Sequence, residues 1–210
     1  MLVDIRQIVF MLRALKGKFP CNMLVFGLGW DALMWSELNK GGHTVFFEDD
    51  AKWLKRIAAL GPTIEARHIT YPTKISEWQS LLNRPERLEI KLDGGVDKTK
   101  WDVIFVDGPY GGPLEYYKGP SSDGPPGRMS SIYLASRLIR EGGDVFIDDC
   151  EREIEGRYAD TYFGKKRLVS EIKSKTTLRW YAVQQPLEED ICEDSMKRPG
   201  RPYGDSRRTR

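Results

Sequence analysis

The chain reads as a doubly wound α/β sandwich, a mostly parallel sheet extended at its C-terminal end by an antiparallel hairpin. Three observations predict this. Short apolar runs alternate with helix-period segments along residues 1–190, the pattern of parallel strands joined by helical crossovers. The run Met23-Leu-Val-Phe26 ends in Gly27-Leu-Gly29 and passes into helix-compatible sequence at Asp31, as when a strand meets a ligand-cradling turn and then a helix N-terminus. Right-handed crossovers put the carboxyl ends of parallel strands on one rim, and here those ends carry Glu48, Asp107, Asp148 and Asp149.

The elements follow in order. Leu2, Ile5, Ile8, Val9, Leu12 and Leu15 recur at helical spacing, which predicts an amphipathic helix packed on the sheet and closed near Gly17 and Pro20. After the first strand and its glycine turn, Ala32 to Leu38 reads as a short helix stopped by Asn39-Lys-Gly-Gly42; Met34 and Trp35 belong to the core. Thr44 to Phe47 is the second strand, running into Glu48-Asp-Asp50, and Ala51 to Leu60 is a helix ended by Gly61-Pro62. A third strand at 64–69 carries His68 on a partly alternating pattern, where a packed or surface role is expected ahead of a catalytic one. A helix over 76–82 and a charged stretch over 84–100, with a turn and an edge hairpin at Asp93-Gly-Gly95, come next.

Val103-Ile-Phe-Val106 has no alternation, which suits a strand buried on both faces of a parallel sheet. Residues 111–127 hold five Gly and four Pro, predicting a long loop over the ligand-binding edge. Arg128 to Arg140 predicts a helix with Met129, Ile132, Leu134, Ala135, Leu138 and Ile139 on its buried side and Gly142-Gly143 as its stop. Asp144 to Ile147 is the fifth strand, Arg152 to Tyr162 the last helix, and 167–172 with 178–183 the hairpin.

Composition narrows the class. A chain of 210 residues suits one domain with a full core, expected over 1–190. Lys and Arg number 33 against 31 Asp and Glu, a net charge of +2, so no overall field directs the chain to nucleic acid. Residues 191–210 are different: from Lys197 onward they are basic and poor in apolar side chains, and read as a disordered tail. Cys21, Cys150 and Cys192 are odd in number and far apart, so neither a disulfide framework nor a zinc site is expected. Asp4, Arg6, Gln7 and Arg13 interrupt the N-terminal apolar residues, which excludes a spanning helix or signal peptide there; the chain reads as soluble, without a membrane segment.

The chemistry-bearing residues collect on the predicted rim. Gly27 and Gly29 let the backbone approach a ligand, and an acidic residue at the end of the second strand accepts hydrogen bonds from ribose hydroxyls in nucleoside-binding folds. Gly27, Gly29, Asp31, Glu48 and Asp49 are therefore the candidate cofactor-binding set, with Glu48 on the ribose. Asp107, Asp149 and Arg128 are the candidate catalytic residues. Asp107 is the expected general base. Asp107, Asp148 and Asp149 admit a second mechanism, in which they hold Mg²⁺ or another hard divalent ion through oxygen ligands. Arg128, opening a helix after the Gly/Pro loop, has three readings: a clamp on a substrate carboxylate, a surface arginine, or a partner of Asp107 that fixes the loop.

Several blocks occur in a specific order: Cys21-Asn-Met-Leu-Val-Phe-Gly-Leu-Gly-Trp-Asp31, Leu33-Met-Trp35, Thr44-Val-Phe46, Glu48-Asp-Asp50, Thr73-Lys74, Trp101-Asp102, Val106-Asp107, Pro126-Gly-Arg-Met129, Ile132-Tyr133 and Asp144-Val-Phe146. In these the chain resembles the plant-type polysaccharide-biosynthesis methyltransferases, a family that includes glucuronoxylan 4-O-methyltransferases and irregular-xylem proteins. The resemblance implies a class I, Rossmann-like fold using S-adenosyl-L-methionine, and a uronic-acid-containing oligo- or polysaccharide as acceptor, with methyl transfer to the 4-hydroxyl of glucuronic acid. It implies a Golgi location if the chain follows the anchored members. Asp148 stands where those members usually carry a histidine. A nonenzymatic nucleoside-binding or scaffold protein of xylan assembly is the alternative from another class. A nicotinamide dehydrogenase is disfavoured, because Ala32 stands where a complete GxGxxG fingerprint has its third glycine.

Overall fold

The computed structural model describes residues 3–60, 64–118 and 124–183; the expected tail and Cys192 lie outside the described residues. Seven strands, β1 (Asn22–Phe26), β2 (His43–Glu48), β3 (Glu65–His68), β4 (Trp101–Val106), β5 (Ile139–Ile147), β6 (Leu168–Lys173) and β7 (Thr177–Ala182), form one sheet in the order β3-β2-β1-β4-β5-β7-β6. β1 to β5 run parallel, and β7 joins β5 and β6 antiparallel. The helices are α1 (Ile5–Ala14), α2 (Ala32–Leu38), α3 (Ala51–Ala58), α4 (Trp78–Leu81), α5 (Met129–Leu138) and α6 (Glu153–Tyr162). Among the described residues no helix is long and apolar enough to cross a membrane.

Strand alternation explains the layers. Leu24, Phe26, Ile104, Val106, Val145 and Ile147 meet Leu81, Met129, Ile132 and Tyr158 in one core. Their neighbours Met23, Val25, Val103, Phe105 and Phe146 meet Met11, Trp35 and Ile57 on the opposite face. Each central strand thus has both faces covered, as its continuous apolar run requires. The chain winds outward from β1 to β3 and then crosses back to β4, so the strand order reverses between β1 and β4. That switch point opens a crevice at the carboxyl ends of the strands.

Three expectations need correction. α1 forms, capped reciprocally by Asp4 and Gln7, but it buries Gln7 and Met11, while Ile5 is 68% and Val9 39% exposed. Polar contacts of Gln7 beneath the helix, described below, set its rotation. Residues 84–100 form no edge hairpin. Leu88, Leu92 and Val96 turn inward and are buried in an irregular winding, Gly94 and Gly95 take positive φ, and Trp101 Nε1 donates to Val96 O (3.0 Å). The last correction concerns Ile139 and Gly142-Gly143, expected in and just after a helix. α5 ends at Leu138, and Ile139 is extended (φ −64°, ψ 137°) because it pairs with Trp101 in the sheet. The glycines lie within β5, where Gly142 takes φ +74°.

Candidate active site

Gly27 ends β1 with φ +104°, and a Cβ there would lie 3.0 Å from both the Asp107 carbonyl carbon and Gly108 N. Only glycine satisfies that backbone angle and lets the β1 and β4 loops touch. Glu48, at the end of β2, accepts from Leu28 N (3.2 Å) through Oε2 and from Asp50 N (2.9 Å) through Oε1. Its carboxylate therefore braces the glycine turn. Burial, together with Asp49 and Asp50 nearby, outweighs those two hydrogen bonds and raises the Glu48 pKa to about 7. Trp53 on α3 donates from Nε1 to Leu28 O (2.5 Å) and walls the same space.

The result is a cavity of about 350 Å³ bounded by Gly27, Gly29, Glu48, Asp49, Trp53 and Asp107, with Tyr110, Tyr116, Tyr117, Lys118 and Arg128 on the loop side. A second cavity of about 410 Å³ shares Asp49 and Tyr117 with it and is lined by Ala51, His68, Ile69, Tyr71 and Pro72. His68 is exposed, and its Nε2 lies 3.2 Å from Asp49 O. It borders this second cavity, away from Asp107.

Asp31 lies near enough to Asp107 to help raise that residue's pKa, but its nearest partner is in its own helix. It opens α2 without capping it, its Oδ2 accepts from Trp35 Nε1 (2.8 Å), and it does not line the cavity. The indole at the fourth residue onward claims the carboxylate because both lie on one helix face.

On the β4 and β5 rims, Asp107, Asp148 and Asp149 bring carboxylate oxygens within 4.8 Å of one another. Arg128, only 3% exposed, lies among them. Its Nε donates to Pro109 O (3.2 Å), Nη1 to Asp148 O (3.0 Å) and Nη2 to Asp107 Oδ1 (3.1 Å). Nη2 also lies 2.6 Å from Asp149 Oδ2. Of the three readings of Arg128, this geometry matches the ion pair that fixes the loop; the side chain is buried, not a surface arginine, and as a clamp on an outside carboxylate the guanidinium has little left to offer. Burial disfavours its charge, but Asp149, Asp107, Glu155 and Asp148 around it raise its pKa. Burial also raises Asp107, to about 7, against the opposing pull of Arg128.

Asp149 is completely buried at φ +63°, the one non-glycine residue with positive φ among the described residues. Arg128 and Arg152 (3.0 Å) neutralise it as ion pairs, although their N–H groups do not point at its oxygens as hydrogen bonds. Asp148 is held differently: Gln7 Nε2 (2.9 Å) and Thr176 Oγ1 (2.8 Å) both donate to its Oδ1. As a metal centre the trio has the right donor atoms for a hard divalent ion. Arg128 Nη2 already stands between two of them, so such an ion would enter only with the guanidinium displaced.

Gln7, Trp53, Glu155, Lys118 and the tyrosines of the loop are the residues that sequence reasoning missed. Gln7 carried a signal, as the polar residue inside an apolar helical stripe.

The reversed sheet, with the glycine turn and Glu48 at its switch point, makes a Rossmann-like sandwich, the fold of the S-adenosylmethionine-dependent methyltransferase class. A solved structure of that class, an O-methyltransferase from Thermotoga maritima, superposes with a TM-score of 0.56 at 9% identity, covering 90% of this chain and 69% of that one. The chain belongs to the IRX15/IRX15L/GXM family, which matches residues 6–93 and 85–180. Glucuronoxylan 4-O-methyltransferase 1 of Arabidopsis thaliana is 37% identical over 93% of this chain and 72% of its own length. Arabinogalactan O-methyltransferase 2 of the same plant is 35% identical over 79% of this chain and 62% of its own.

Proposed function

We propose that this protein is an S-adenosylmethionine-dependent O-methyltransferase acting on a sugar hydroxyl, the 4-hydroxyl of glucuronic acid in a xylan-type polysaccharide. One observation carries the reading: three adjacent strands, β2, β1 and β4, line a single cavity with Glu48, the glycine turn and Asp107. S-adenosylmethionine supplies an electrophilic methyl group on a sulfonium. Glu48, already fixed by two backbone N–H groups, accepts the ribose hydroxyls; Gly27 and Gly29 admit the amino-acid portion; and the adjoining cavity at Ile69 and Tyr71 takes the flat base. Asp107 takes the proton of the acceptor hydroxyl as its oxygen forms the new bond to the methyl carbon and the bond from that carbon to sulfur breaks. A sugar hydroxyl is too weak an acid to ionise at neutral pH, so the transfer needs such a base. Arg128 holds Asp107 in place.

The test is a transfer assay with labelled S-adenosylmethionine over glucuronic-acid-bearing xylo-oligosaccharides and arabinogalactan fragments, with the methylated position read by mass spectrometry. Label on the uronic acid O4 is the expected result. Tight binding of S-adenosylhomocysteine without transfer to any acceptor would favour the scaffold reading.

A further inference from the structure

Arg128 cannot be the group that reads an acceptor carboxylate, and its inability directs attention to the loop. Turning its guanidinium outward would break its ion pairs with Asp107 and with the wholly buried Asp149, leaving Asp149 to Arg152 alone; removing a partner from a buried charge in this way is strongly unfavourable. Yet the acceptor proposed above is anionic, and the cavity it must enter carries Glu48, Asp49, Asp50 and Asp107 on its wall. Like charges confined in such a space repel a uronate unless a cation meets it. Among the described residues lining that cavity, the cations are Arg128 and Lys118.

We infer that Lys118 is the specificity-determining residue that binds the acceptor's carboxylate, an assignment that rests on the function proposed above. Lys118 is exposed, on the wall of the Asp107 cavity, and makes no ion pair with a described residue. In a hexuronic acid the carboxyl group sits on the ring carbon next to the one bearing the 4-hydroxyl. A hydroxyl delivered to Asp107 therefore brings its carboxylate into the same cavity, which Lys118 also lines. An ammonium on a flexible stem meets that group with little desolvation before binding. Two residues before it in the chain, Tyr116 is 67% exposed and borders the cavity, offering a flat apolar face to a sugar ring. Tyr110 and Tyr117, with ring centroids 5.5 Å apart, complete that wall.

The test compares a glucuronic-acid-bearing xylo-oligosaccharide with its carboxyl-reduced, neutral analogue as acceptors for the wild-type protein, Lys118→Ala and Lys118→Arg. Wild type is expected to prefer the uronate. Lys118→Ala should raise KM for the uronate about tenfold or more, with kcat much less affected and KM for the neutral acceptor unchanged; Lys118→Arg should restore most of the preference. Affinity for S-adenosylhomocysteine, measured by calorimetry, should stay the same in all three. If Lys118→Ala keeps the wild-type preference for the uronate, the assignment of Lys118 is overturned and the methyltransferase reading stands. If wild type itself methylates neither acceptor, the proposed function fails and takes the Lys118 assignment with it.

Discussion

Asp107 illustrates how one residue is tuned by its surroundings. Burial raises its pKa to about 7 while Arg128 pulls it down, and a general base works best with a pKa near the operating pH. Asp107→Asn is expected to lower kcat by about 10²–10⁴-fold, with S-adenosylhomocysteine affinity near wild type by calorimetry. In the wild type the rate should rise with pH through about 7 as the carboxylate loses its proton. Glu48→Ala removes an acceptor of charge-assisted hydrogen bonds, so cofactor affinity should weaken by about 1.5–3 kcal/mol; unchanged affinity in the folded variant would remove Glu48 from the site. Dialysis against EDTA is expected to leave the rate as it was, because Arg128 is the cation among the three aspartates. A loss of rate restored by adding Mg²⁺ would instead assign Asp107, Asp148 and Asp149 to an ion.

Among the elements, α1 does more than cover the sheet. Its apolar stripe would have buried Ile5 and Val9, but the helix is turned so that the Gln7 amide reaches Asp148 and Thr176 Oγ1 (2.9 Å each). The N-terminal helix is thereby clipped to the end of β5 and the start of β7. Gln7→Leu keeps helix-forming character and volume while deleting both hydrogen bonds. It should lower stability in urea denaturation by about 1–3 kcal/mol, the cost of leaving buried polar partners unmet. Equal stability would mean that packing at Met11 and Leu15 alone seats the helix.

At the scale of the molecule, the acidic rim ties stability to pH. Glu48 and Asp107 have folded pKa values of about 7, above their ordinary 4.5 and 3.8, so between those values the folded state holds more protons than the unfolded chain. Their contribution to stability is full below the unfolded pKa values and is lost as pH rises through about 7. The melting temperature of Asp107→Asn should therefore gain on that of wild type between pH 5 and pH 8, which a thermal-shift series reads directly. A difference between the two melting temperatures that stays constant over that range would show that Asp107 is already ionised in the fold at the lower pH.

The apolar runs, the glycine turn and the acidic strand ends were legible in the sequence because each depends on neighbours close in the chain. A buried strand needs consecutive apolar residues, a βα turn at φ +104° needs Gly27, and right-handed crossovers then bring Glu48, Asp107, Asp148 and Asp149 to one edge. What local pattern could not reach was the pairing of buried charge. Whether Arg128 faces a ligand or Asp149, whether Asp31 serves the cavity or Trp35, and whether Gln7 is solvated or seated on Asp148, 141 residues away, are choices made only when distant segments meet. Desolvation requires each buried polar group to find a partner, and which partner lies within reach is decided by the packed sheet and its helices.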